Sequence, residues 1–264
     1  MILRTRFLAA ALAAAATLGL AAPVQAATID YAALGDSYAS GTGAGNYHSG
    51  SGNCLRSKDS YAEWYRFVKN ANLIFNACSG ATTDSIAGQT GNLNGGIDLV
   101  SVQVGGNDIG FASVLTTCTL TTSGPAGDRK CQEAVNAAIG KMNTELGGKL
   151  DRAYRQIRSK ATKAKVVVIG YPRLFGLRAC GGQLSVPKQR SLNDGANHLD
   201  SVIRNRAAAA GFTYVDTRDR FNFHGVCGPA PWIHGTRQPI TESYHPNAAG
   251  HRDGLLPALQ QGAL

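Results

Sequence analysis

Beyond its first 26 residues the chain has no apolar run that approaches the roughly 20 residues needed to cross a bilayer, so no internal membrane anchor is expected. It has no internal repeat, no block of like charge and no Pro- or Ser-rich linker, which argues against a solenoid or a string of domains. Its Lys and Arg residues are dispersed and not interleaved with aromatics, so a nucleic-acid surface is not expected. No two cysteines have C-x-x-C spacing and no histidine stands at ligand spacing from one, so neither metal nor cofactor is expected. The G-x-S-x-G elbow of α/β-hydrolases is missing, and so is the H-E-x-x-H helix of zinc hydrolases.

What is present begins with a leader. Arg4 and Arg6 precede an apolar and small-residue run from Phe7 to Leu20, followed by Val24-Gln25-Ala26 with small residues at the positions signal peptidase reads. Cleavage is expected after Ala26; cleavage after Ala27 would put Gln25 where a small residue is required. The run is too short for a membrane anchor, so the protein is expected to be secreted and extracellular. Residues 27–264 suit one α/β domain, and nothing in them demands a partner, so a monomer is expected.

All six cysteines lie in the exported part, where an even count reads as disulfides. Six cysteines allow fifteen pairings. Nearest-neighbour pairing is the simplest, since each bridge of Cys54–Cys78, Cys118–Cys131 and Cys180–Cys227 would close one surface excursion. The formal net charge of +9, two units of which leave with the leader, would favour transient contact with an anionic lipid surface, or serve solubility alone.

Short apolar runs alternate with helical patterns. Strands are expected at Ile29 to Leu34, Leu73 to Ala77, Ile97 to Val104, Lys165 to Gly170 and Phe212 to Asp216. Helices are expected from a capping box at Ser60–Glu63 to about Lys69, from about Gln132 to Lys163 with an interruption near Gly147-Gly148, from Leu192 to Ala210, and from Pro246 onward. Strands separated by helices imply a parallel sheet covered on both faces, with sites at the carboxyl ends of its strands.

Three turns directly follow three of these strands. In Gly35-Asp36-Ser37, a serine between a buried strand and a helix start is a candidate nucleophile, though Gly-Asp-Ser is also ordinary turn chemistry. Cys78-Ser79-Gly80 and Gly105-Gly106-Asn107-Asp108 could supply an oxyanion with the Gly80 N–H and the Asn107 amide, though Gly and Asn are common in turns for structural reasons. A hydroxyl nucleophile needs a base. Of the six histidines, His48 and His198 read as surface residues, His251 as part of the last helix, and His224 and His234 as open to substrate contact. His245 stands in a loop just before a Pro-started helix and beyond the last strand, and is the candidate base.

Together the four blocks resemble the GDSL or SGNH hydrolase family, whose name spells Ser, Gly, Asn and His: here Ser37, Gly80, Asn107 and His245. The resemblance runs from Asp30 to about His251 and is closest to small secreted actinobacterial (Streptomyces-type) lipases, esterases and phospholipases A, which share a Tyr after the GDS and six cysteines. It implies a flavodoxin-like three-layer sandwich with a five-stranded parallel sheet, and metal-free hydrolysis of carboxylic esters, lipid acyl esters among them, through an acyl-enzyme on Ser37. The oxyanion hole implied is the Ser37 N–H, the Gly80 N–H and the Asn107 side chain. Two departures stand out. Tyr38 replaces the family's Leu, a change of packing. Glu242 stands where the family usually has Asp, three residues before the histidine, so either its carboxylate or a main-chain carbonyl at Glu242 or Ser243 would orient His245. Asp36 and Asp108 are expected to tie down their own turns. A carbohydrate deacetylase on the same fold, or a catalytically silent binding module for lipid or polysaccharide, would also fit this scaffold.

Overall fold

The computed structural model describes residues 28–179 and 184–264. Five strands, β1 (Asp30–Gly35), β2 (Asn72–Phe75), β3 (Leu99–Gln103), β4 (Lys165–Ile169) and β5 (Thr213–Val215), pair in parallel in the order β2-β1-β3-β4-β5. The central strands read as nearly continuous apolar or small runs because both faces of the sheet are covered. Residues 31–35 of β1 and all of β3 are buried, whereas the edge strands β2 and β5 are short and partly exposed.

The helices are α1 (Ser37–Ser40), α2 (Tyr61–Lys69), α3 (Ile86–Gln89), α4 (Phe111–Leu120), α5 (Pro125–Lys141), α6 (Gly147–Lys160), α7 (Val186–Ala209) and α8 (Leu256–Ala263). α2 and α8 pack together against the sheet, α8 on β4 and β5 and α2 on β2. α7 also packs on β4 and β5, with α5 and α6 against it and α4 against α5. The buried apolar side chains form one core that includes Leu34, Val102, Val168, Leu150, Ile203 and Leu259. The order β2-β1-β3 reverses the winding direction at β1, which opens a crevice at the carboxyl ends of β1 and β3.

Each expected strand is present, shifted by one or two residues. The helices differ more. α5 starts at Pro125, after Gly124, rather than near Gln132, and the chain runs on into α6 through a π-type turn, Met142–Leu146, instead of breaking at Gly147-Gly148. α7 starts at Val186, where the Ser185 hydroxyl accepts from the Lys188 N–H, six residues before the apolar pattern becomes regular. The last helix does not start at Pro246, which pairs in a bridge with Ile233; the Asn247 side chain instead accepts from Gly250 N–H, and helix begins at 248. The loop at Trp232 to His234 holds this segment extended, with Asn247 N–H on Trp232 O and His234 N–H on His245 O. The Ser60–Glu63 capping box is half formed. Ser60 Oγ accepts from Glu63 N–H, but the Glu63 carboxylate turns to His48 and Arg66.

Helix α4 went unanticipated because Thr116, Thr117, Thr119 and a Cys give it little helical propensity. Thr116, Thr117 and Thr119 each return a hydroxyl to the carbonyl four residues back, and the Cys118–Cys131 disulfide fastens α4 to α5. Below its C-terminus the Lys188 ammonium, 2% exposed, donates to the carbonyls of Cys118, Thr121 and Thr122, where the helix dipole favours a cation. Cys54 pairs with Cys78. In the third expected pair, Cys180–Cys227, Cys180 lies outside the described residues.

Candidate active site

β1 runs into the crevice and ends at Gly35, whose φ of +126° and contact with Gln103 leave no room for a side chain: a Cβ there would stand 2.1 Å from the Gln103 carbonyl oxygen. Asp36 caps α1 by accepting from Tyr38 N–H at 3.0 Å, which makes Ser37 the first helical residue and leaves its N–H without an intrahelical acceptor. Gly80 sits at φ +79° in the turn after β2, with open space where a Cβ would be. Asn107 follows β3, and its side-chain N–H donates to Ala81 O at 2.9 Å, which fastens the third turn to the second. The Asp108 carboxylate accepts from both the N–H and the hydroxyl of Thr83. Both acids beside the candidate residues are thus engaged in holding turns.

His245 arrives from the far end of the chain. Tyr244 adopts a positive φ of 61°, a left-handed kink uncommon for a bulky residue. The Tyr38 hydroxyl donates to Tyr244 O at 2.6 Å and holds the kink in place. His245 Nε2 then lies 2.7 Å from Ser37 Oγ, and Nδ1 lies 3.0 Å from the Ser243 carbonyl oxygen. A carbonyl only accepts, so the proton sits on Nδ1 and Nε2 is free to accept from the serine. Of the acceptors left open by the sequence, the Ser243 carbonyl is the one in contact. The Glu242 carboxylate points away: it accepts from the Tyr47 hydroxyl at 2.7 Å and pairs with Arg237 Nε at 3.4 Å. Tyr47 in turn accepts from Gly43 N–H, and Gly43 packs so closely under His245 that a Cβ there would be 2.9 Å from the histidine's own. Glu242 therefore braces the floor beneath the histidine.

Burial pushes the His245 imidazole down to about 4, against a smaller upward pull from the Ser243 carbonyl; His234 lowers it further and Glu242 raises it. The ring is consequently neutral, the form a general base requires, across the whole range from weakly acidic upward. Burial raises the Asp36 carboxyl to about 7, although hydrogen bonds from Tyr171 and Tyr38 oppose the rise.

The other histidines lie elsewhere. His48 is half-buried on Glu63 rather than free on the surface, His198 bonds Asn143, and His224 stacks on Trp232 at 3.6 Å. His234 bonds Gly43 O behind the site. His251 is fully buried and accepts from Tyr61 N–H. Among the described residues, no group of three or more His, Cys, Asp or Glu side chains converges to hold a metal ion.

Ser37 and His245 stand at one wall of a cavity of about 580 Å³ whose other walls include Phe111, Leu115, Leu174, Ala196 and Leu199. A hydroxyl and a neutral base at the edge of an apolar cavity, with the Ser37 N–H at the open start of a helix beside them, form the arrangement that acyl transfer uses.

A family model described as the GDSL-like lipase/acylhydrolase family matches residues 33–252. The chain belongs to this family. It is accordingly a carboxylic ester hydrolase, on a fold its solved relatives share. It is 44% identical to Lipase 1 of Streptomyces coelicolor over 257 residues, covering 96% of this chain and 93% of that protein. The crystal structure of phospholipase A1 from Streptomyces albidoflavus is 42% identical with a TM-score of 0.85, and the alignment covers 89% of this chain and all of that one. The extracellular lipase of Streptomyces rimosus is 40% identical with a TM-score of 0.84, again over 89% of this chain and all of the other. The structure brings Ser37, Gly80, Asn107 and His245 of the four sequence blocks to one cavity, whereas sequence reasoning missed Tyr38, Tyr47 and Tyr171 as partners of the site. Only Tyr38, beside the serine, carried a signal by position.

Proposed function

We propose that this hydrolase is secreted after removal of residues 1–26 and cleaves the acyl esters of lipids with Ser37 as nucleophile. The observation that carries the reading is the 2.7 Å contact between Ser37 Oγ and His245 Nε2 beside an apolar cavity large enough for an acyl chain. Ser37 Oγ attacks the ester carbonyl as Nε2 takes its proton, and the Nδ1–H bond to the Ser243 carbonyl holds the ring and favours the imidazolium that forms. Negative charge on the carbonyl oxygen is met by the Ser37 and Gly80 N–H groups and the Asn107 amide. The imidazolium then protonates the departing alcohol, leaving an acyl-enzyme on Ser37. Water, activated by the same nitrogen, hydrolyses it and returns the serine.

The apolar cavity supports lipid acyl chains over the acetyl group a carbohydrate deacetylase would remove, since an acetyl would leave most of its walls uncovered. Two of the most exposed apolar side chains, Leu120 (79%) and Ile240 (60%), stand at its lip from separate segments, an arrangement suited to transient contact with a lipid surface. A hydrolysis panel of p-nitrophenyl esters of increasing chain length, emulsified triglyceride, phospholipid vesicles and acetylated xylan tests the reading. Turnover of the longer acyl esters and the lipids is expected; a preference for acetylated xylan would overturn it.

A further inference from the structure

The three turns that bring Ser37, Gly80 and Asn107 together are fastened to one another beyond the sheet. The second and third are joined by Asn107 on Ala81 O and by Asp108 on Thr83. The first and second are joined by Cys78 N–H on Gly35 O at 3.0 Å. Between the first and third the backbone pairing stops at Asp36 N–H on Gln103 O, at 2.9 Å. Past that point the Tyr171 hydroxyl spans the gap. It accepts from Gly106 N–H at 3.3 Å and donates to the Asp36 carboxylate in a short hydrogen bond, while the other Asp36 oxygen accepts from Tyr38 N–H.

We propose that Tyr171, which belongs to none of the four sequence blocks, is a positioning residue that sets the distance between the Ser37 N–H and the Asn107 amide. The proposal rests on the roles of Ser37 and Asn107 put forward above. One end of the bridge is the residue just before Asn107 and the other is the residue just before Ser37, so a shift of the hydroxyl moves both halves of the oxyanion site. Tyr171 is itself immobilised. It stands two residues past β4, 7% exposed, with its ring edge-on to Tyr38 at 5.2 Å and its N–H on the buried Asp200 carboxylate at 2.8 Å. A Cβ on Gly106 would stand 3.5 Å from the hydroxyl, so the two elements meet at van der Waals contact with little slack. Oxyanion donors act only within a few tenths of an ångström of their ideal reach, and displacements of about 1 Å can cost about a hundredfold in rate. A tyrosine that merely filled the core would contribute to stability without acting on one catalytic step.

The test is Tyr171→Phe, which keeps the ring and removes the bridge, measured on a soluble p-nitrophenyl ester with rates normalised to sites titrated by a fluorophosphonate. The expected result is a kcat lowered about 10- to 100-fold with KM changed by no more than about threefold. Asn107→Ala alone should lose about 100- to 1,000-fold, and adding Tyr171→Phe to it should lose no more than about threefold again, because the spacing between the Ser37 N–H and the Asn107 amide no longer matters once the amide is gone. A kcat within about threefold of the parent, a loss carried by KM, or losses that multiply in the double variant would overturn the proposal. Should Tyr171→Phe not fold, Asp36→Asn, measured at about pH 8.5 where a carboxyl raised to about 7 is ionised, weakens the same bridge by replacing a charged acceptor with a neutral one. A fall in kcat of about three- to tenfold at constant KM is then expected, and a parental kcat overturns the proposal. A parent protein that takes no fluorophosphonate label would overturn the Ser37 assignment and the proposal with it, whereas a labelled parent with unmoved kcat in the variants overturns the proposal alone.

Discussion

The proposed nucleophile, Ser37, and the proposed base, His245, are held by opposite means. Ser37 sits where a buried strand meets a helix. Its position follows from the β1–β3 ladder, a glycine pressed on Gln103 and a cap from Asp36, all within three residues of it in sequence or one strand away. His245 sits on irregular chain more than 200 residues later, aimed by a left-handed Tyr244 and by contacts from Tyr38, Gly43 and Ser243. Regular structure places a side chain through backbone hydrogen bonds that almost any sequence can make. A loop has to do so through particular side chains, so more residues around His245 than around Ser37 should tune the rate.

The sharpest break of this comparison is Ser37→Ala. It should lower kcat by about 10⁴ to 10⁶ and abolish fluorophosphonate labelling. The melting temperature should stay close to the parent's, because the helix start does not depend on the hydroxyl. Turnover near the parental rate would remove Ser37 from the role of nucleophile.

A smaller effect is expected in the pH profile. With the His245 imidazole down at about 4, the base form persists as pH falls and is lost only through that value. kcat/KM on a soluble ester should therefore keep about nine-tenths of its plateau at pH 5, where an unperturbed histidine would keep only a few per cent. The groups facing the ring are Ser37, the Tyr38 ring, His234 and, through space, Glu242. An acid limb centred near 6.5 would show that the ring is wetter in solution than its burial implies.

Glu242→Gln sharpens the comparison further. Were the carboxylate the partner of Nδ1, its loss would cost about 10⁴ in rate, as for the aspartate of the chymotrypsin-type triad. With the Ser243 carbonyl in that place, a loss of about tenfold or less is expected, with the acid limb moved slightly lower because a negative charge near the ring is gone. A loss of a thousandfold would restore the carboxylate to the triad. The smallest effect belongs to Tyr38→Phe, which removes the hydrogen bond to Tyr244 O. About 1 kcal/mol of stability and a few-fold of kcat should go with it, measured by thermal unfolding and steady-state kinetics.

Burial alone does not mark the site. His251 is more deeply buried than His245, and burial pushes its imidazole down to about 3, yet it faces the Tyr61 backbone in the core and its Nε2 meets no partner among the described residues. Six residues separate the two, and from sequence His251 read only as part of the last helix. What distinguished His245 in the sequence was the loop position before a proline. What distinguishes it in space is the 2.7 Å contact with Ser37.

The order of strands and the turns after them were legible because a parallel sheet leaves a local imprint: apolar runs four to eight residues long, each followed by glycine or a polar turn. The same imprint put Ser37, Gly80 and Asn107 at strand ends, and the Cys54–Cys78 and Cys118–Cys131 pairings followed from neighbours in sequence. Helix α4 left no such imprint, since its threonines satisfy themselves on their own helix and its stability comes from α5, the disulfide and Lys188. The sequence by itself determined the sheet, the family and the four chemical blocks, because these depend on local pattern and residue type. Only the tertiary structure decided that a Ser243 carbonyl and not the Glu242 carboxylate meets His245, and that Tyr171, 135 residues of chain from Asp36 and 65 from Gly106, joins the turns that hold them. Those choices turn on hydrogen-bond geometry between segments distant in the chain, where a fraction of an ångström selects one acceptor over another and no local pattern records the choice.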